Sequence, residues 1–95
     1  MNKGDILTML QADLDLLHVD DKRQVYLDSL IEAAISFIAR EGVKLTEPYS
    51  YEDGTLIVMY AAYLFRKRAV NEPMPRSLRW ALNNRIFGGK AHESE

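Results

Sequence analysis

The run from Leu56 to Phe65, Leu-Ile-Val-Met-Tyr-Ala-Ala-Tyr-Leu-Phe, constrains this chain more than any other stretch. Its ten residues carry no charge and no strongly polar group. It has no polar face at either the helical or the strand period, so its flanks must type it. Ser50 followed by Asp53 is a capping-box-like start, because a hydroxyl can take a free amide and an acid favours the first turn. Arg66, Lys67 and Arg68 stand at the far end, where cations suit the negative helix terminus. The pattern predicts one helix over 51–70, apolar on all sides for most of its length. Such a helix is buried all round. It is too short and too charged at its ends to span a bilayer. The other segments must wrap it, so the expected fold is all-α, a small bundle of four helices around a buried third helix.

The wrapping segments are read from their own periods. Ile6, Leu10, Leu14 and Leu17 recur at helical spacing and predict a first helix over 5–16, capped by Asp5. His18-Val19 breaks the pattern, and Asp20 is the next expected cap with Asp21 in the first turn. The second helix is expected over 21–41. Leu27, Ile31, Ala34 and Ile38 form one stripe; Tyr26, Leu30, Ala33 and Phe37 form another beside it. At about 100° per residue the two span roughly 200°, about twice what one helix contact needs, so this helix meets more than one neighbour. Gly42 is a standard stop. Residues 42–50 form a connection in which Pro48 forbids a helix, Val43 and Leu45 alternate as in a short extended piece, and Tyr49 and Tyr51 flank the third helix's cap and seal its end.

The last helix is expected over 76–87, opened after Pro75 and ended by Gly88-Gly89, with 88–95 as a flexible tail. Leu78, Leu82 and Ile86 lie on one side with Ala81, whereas Trp80 and Phe87 lie roughly opposite. A terminal surface helix in a monomer needs one apolar stripe; this one has two, and the second holds the largest aromatics. Either the N-terminal helix or another subunit covers Trp80, and the enrichment of tryptophan in interface cores favours the subunit.

Ninety-five residues make one domain, 1–95, with an apolar content of 47%, far too high for disorder. A chain of this size buries only about 60–65% of its unfolded surface, so it is marginally stable alone. The absence of cysteine excludes disulfides and thiolate chemistry. Residues 1–5 carry no apolar core or small-residue cleavage site of a signal peptide. Charge is unevenly placed. Residues 1–48 hold five basic and nine acidic side chains, whereas 66–90 hold seven basic and one acidic. Such polarity suits head-to-tail self-association or a basic surface near nucleic acid.

No catalytic constellation is visible. His18 and His92 have no partner at ligand spacing, which argues against a metal site. Asp13/Asp15 and Asp20-Asp21 read as caps and solvated acids rather than an acid–base pair. Gly88-Gly89-Lys90 follows a helix rather than a strand and lacks the rest of a phosphate loop. The expectation is a protein without enzymatic activity, metal or cofactor.

The order of signals resembles the small head–tail connector proteins of tailed bacteriophages and prophages, the DNA-packaging or head-completion family. The likeness spans roughly residues 5–87. It rests on a short leading helix ending in Leu-Leu-His-Val-Asp-Asp; on Leu27-Asp28-Ser29-Leu30-Ile31-Glu32-Ala33-Ala34-Ile35-Ser36-Phe37-Ile38, which is similar to the family's L-x-x-L-I-x-A-A-x-x-x-I; on Met59-Tyr60-Ala61-Ala62-Tyr63-Leu64-Phe65-Arg66; and on the proline-led last helix from Met74-Pro75-Arg76-Ser77-Leu78 to Arg85. Segment 42–50 departs from the pattern, since many relatives carry a longer loop there. The resemblance implies a homo-oligomeric ring, usually dodecameric, beneath the portal protein at the virion head–tail junction, assembled in the host bacterial cytoplasm. The ring extends the DNA channel, lets double-stranded DNA pass without sequence recognition, and receives the stopper or tail-completion protein; it has no membrane partner. Trp80, Phe87, Arg76 and Arg79 are the expected contacts to a neighbouring subunit or the portal, and Arg66, Lys67 and Arg68 are expected to face a neighbour or the DNA lumen.

Two other readings compete. One is a small helical DNA-binding regulator, whose fourth helix, Arg76 to Arg85, would lie in a major groove. Against it, a helix-turn-helix favours a short glycine-containing turn, while Asn71 to Pro75 carries two prolines. The other is a generic adaptor with no phage context.

Overall fold

Each of the first three helices starts where a side chain takes one of its free amides. The computed structural model describes residues 1–69 and 71–93, without the side chains of 69 and 89–93. Helix α1 spans Lys3–Asp13 and is opened by Asn2, whose side chain accepts from the Asp5 amide at 2.9 Å while the Asp5 carboxylate accepts from the Asn2 amide at 3.1 Å. The expected cap, Asp5, is thus the far half of a capping box, and the helix begins earlier than its apolar period suggests. It also ends earlier. Asp15 adopts a left-handed φ of 56°, so Leu17 leaves the Ile6–Leu10 stripe and stands 89% exposed.

Helix α2 spans Asp21–Arg40, with the Asp20 carboxylate accepting from the Arg23 amide at 2.8 Å. Its predicted core stripe, Leu27, Ile31, Ala34 and Ile38, is buried throughout. The second stripe is the rim of the contact with the next helix: Tyr26 meets Phe65 with ring centres 6.3 Å apart, and Phe37 stacks on Tyr60 at 5.9 Å. Gly42 takes a φ of 98°, the left-handed conformation that a helix stop requires. Val43 and Tyr49 of the connection are buried, Tyr51 is exposed, and no strand forms among the described residues.

Helix α3 spans Tyr51–Ala69, and Ser50 Oγ accepts from the Asp53 amide at 3.0 Å. Met1 meets Tyr49 through hydrogen bonds in both directions, each 2.7 Å, and its thioether lies where a Cβ on Gly54 would collide. Since Asp13 reaches Arg66, α1 runs parallel to α3, whereas the Tyr26–Phe65 and Phe37–Tyr60 pairs set α2 antiparallel. Ile57 and Ala61 at its centre are fully buried.

Helix α4 spans Arg76–Glu93 and packs on α3 through Leu78 and Leu82. It continues past Gly88-Gly89, contrary to the expected stop at 87 and a tail from 88. A helical glycine costs about 1 kcal/mol but does not break a helix by itself, and Lys90 and Ala91 beyond it favour the helix. Residues 94 and 95 of the predicted tail lie outside the described residues.

Candidate functional site

Helix α3 is wrapped on most of its circumference, but not all of it. At about 100° per residue, Tyr51, Glu52, Thr55 and Met59 fall on one side. Tyr51 and Glu52 are exposed, and Thr55 and Met59 are half-buried. The expectation that α3 is buried all round therefore fails on this strip. What remains is a groove of about 330 Å³ between α3 and α4. Leu56, Met59 and Ala81 line it, Tyr51 and Trp80 form its rim at 75% and 69% exposure, and Glu52, Asn84 and Arg85 supply its polar groups. Thr55 contributes a buried hydroxyl with no hydrogen-bond partner among the described residues.

The outward face of α4 continues this surface. Arg76, Trp80 and Phe87 fall within a narrow arc opposite Leu78 and Leu82, and Phe87 is 64% exposed. The N-terminal helix packs on α2 and α3 and leaves Trp80 uncovered.

The arginines are distributed differently from the aromatics. Arg85 Nε donates to Asp53 Oδ1 at 2.8 Å, and a terminal nitrogen reaches Asp53 Oδ2 at 3.4 Å and the Lys44 carbonyl at 3.3 Å. Asp53 is 8% exposed, so this pair is largely withdrawn from water. Arg79 grips Glu41 with two bonds, at 2.7 and 3.3 Å. Both guanidiniums are held above their usual pKa by those hydrogen bonds. Arg66 reaches Asp13 at 3.4 Å, Lys67 Nζ lies 5.7 Å from the Tyr63 ring centre, and the Arg68 guanidinium lies 4.8 Å from that of Tyr26.

These contacts refine the reading of the charge pattern. The acidic first half and the basic stretch 66–90 are partly joined within the chain. The fold pairs them with each other, through Asp13–Arg66 and Glu41–Arg79, and Asp53 takes up Arg85. Arg79, expected at an interface, is engaged within the chain. Arg76 is exposed and has no ion pair among the described residues. The sequence reading missed the Asp53–Arg85 pair, although rotation places Arg85 between Leu78 and Ala81 on the inner side of α4.

Among the described residues no group of three or more His, Asp or Glu side chains is placed to hold a metal ion. None of the described helices is long and apolar enough to cross a membrane. No family model, no curated protein and no solved structure matches this chain.

Proposed function

We propose that this chain is a structural adaptor of the tailed-phage head–tail connector kind. Copies form a ring, dodecameric in the virion, beneath the portal protein at the head–tail junction, after assembly in the host bacterial cytoplasm. The ring extends the channel through which double-stranded DNA passes and receives the stopper or tail-completion protein. The role needs no cofactor and no chemical step.

The observation that carries the reading is the exposure of Trp80 and Phe87 on the outward face of α4, with Trp80 at the rim of an open groove. Large aromatics next to an apolar hollow are the usual composition of an interface centre. A ring needs unlike surfaces on each copy, because every subunit meets its two neighbours differently. The regulator reading is weaker because its recognition helix would use Arg79 and Arg85, and both are committed to carboxylates within the chain.

Light scattering of the free protein, alone and with a portal ring, tests the proposal. A large annular oligomer, or a monomer that assembles only on the portal, is the expected result. Trp80→Ala is expected to abolish the assembly and leave a helical monomer; a variant that still gives the wild-type oligomer would refute the role of Trp80. A dimer that shifts one DNA fragment with a steep salt dependence would favour the regulator.

A further inference from the structure

The α3/α4 groove is open to solvent, and the corner between α1 and α2 presents an exposed apolar knob. Asp15 turns the chain through its left-handed conformation, and the corner is closed by the Asp15 and Leu16 amides donating to Ala12 and Gln11 carbonyls at 3.1 and 3.0 Å. Asp20 then fixes the start of α2. The result is a defined knob with Leu17 at its tip. At 89%, Leu17 is the most exposed large apolar side chain among the described residues. Residues 13–21 contain four aspartates and no lysine or arginine; Asp13 is paired with Arg66, and Lys22, Arg23 and Arg68 lie on the far side of Asp20. The groove has the complementary character. Its walls are apolar, and Arg76, exposed and without an ion pair among the described residues, lies one turn before Trp80. Its one acid is Glu52.

We propose that the Leu17 corner of one copy seats in the α3/α4 groove of the next, with Leu17 against Met59 and Trp80 and the flanking Asp15 and Asp20 towards Arg76. This rests on the self-assembly proposed above and names the two surfaces that meet. The corner belongs to the end of the molecule where Asp13 meets Arg66 late in α3, whereas the groove is floored by the first half of α3. Knob and hole are therefore separate on the chain, and each copy uses both. The contact is heterologous, the type that generates rings when it closes.

The lack of native cysteine makes cross-linking specific. Leu17→Cys and Asn84→Cys chains are prepared separately, then mixed under mild oxidation. Asn84 is exposed and lines the groove. The mixture is expected to form a covalent dimer at least roughly tenfold faster than either variant alone, because docking raises the local thiol concentration. Leu17→Asp is expected to raise the concentration needed for assembly by roughly tenfold or more. Its helical spectrum and urea midpoint should match wild type, since Leu17 is exposed. Dimers of Asn84→Cys alone, without the mixed product, would show groove-to-groove pairing and overturn the proposal. Wild-type assembly with no mixed product and no effect of Leu17→Asp would overturn this contact but leave the ring reading standing. A wild-type chain that neither assembles, alone or on a portal, nor cross-links would overturn both.

Discussion

Helices α2 and α4 both run antiparallel to α3, yet α3 holds them in different ways. Helix α2 buries Leu27, Ile31, Ala34 and Ile38 along its length, and its rim stacks aromatic on aromatic. Helix α4 buries Leu78 and Leu82, packs Ala81 and Ile86 partly against the core, and is also tied by the Arg79–Glu41 and Arg85–Asp53 pairs. A fully buried aliphatic side chain contributes about 1.5–3 kcal/mol wherever it is packed, so α2 rests mainly on a force without direction. Bidentate arginine–carboxylate bonds have direction. They set α4 beside the groove and keep it from sliding over Thr55 and Met59.

The difference can be broken from either side. Ile31→Ala is expected to cost about 3–4 kcal/mol, the transfer and cavity cost of a core isoleucine, as a lower urea midpoint at unchanged slope. The loss should be global, with all four helices melting together. Asp53→Ala is expected to cost about 2–3 kcal/mol, at the low end for a broken buried pair because Arg85 remains 27% exposed. Here the loss should be local: amide exchange speeds up in α4 before it does in α2. Equal effects on both helices would show that α4 is held by its leucines after all.

Alkaline pH probes the α2 side. Burial raises the phenols of Tyr49 and Tyr60 above their ordinary pKa, and the hydrogen bond to Glu32 raises Lys3. The unfolded tyrosines ionise near about 10, below the folded ones. The chain thus keeps this stability below about pH 10 and loses it as pH rises from there through the folded values. Urea midpoints from neutral to strongly alkaline pH should be level and then fall, and Tyr60→Phe should make the fall shallower. The smallest expected effect is in the groove. Thr55→Val removes a buried hydroxyl without a partner among the described residues and keeps its shape, so it should raise stability by up to about 1 kcal/mol, read from the thermal midpoint.

Helix identity and the main stripes were legible because they depend on local periodicity. The stripe from Leu27 to Ile38, the caps at Asp20 and Ser50, and the stop at Gly42 are all where the residues indicate. The first helix was misplaced because the apolar period from Ile6 to Leu17 runs through a turn that only the left-handed Asp15 reveals. The end of α4 was misplaced because Gly-Gly is a stop only where the chain must turn. The exposed stripe of Trp80 and Phe87 was visible by rotation alone, and the structure leaves it uncovered. The ion pairs were hidden for a different reason. Their partners lie 53, 38 and 32 residues apart, and no spacing rule reaches that far. Net charge by segment therefore did not show which of these charges the fold pairs.

That long reach has a kinetic consequence. A bond between Arg79 and Glu41, or Arg85 and Asp53, has its geometry only after α4 has docked, so it belongs to the native side of the folding barrier. Salt that screens the exposed Arg79–Glu41 pair should quicken unfolding in stopped-flow experiments and leave refolding almost unchanged. The pairs that hide the charge pattern would then act as clasps, setting how long α4 stays shut rather than how fast the chain finds its shape.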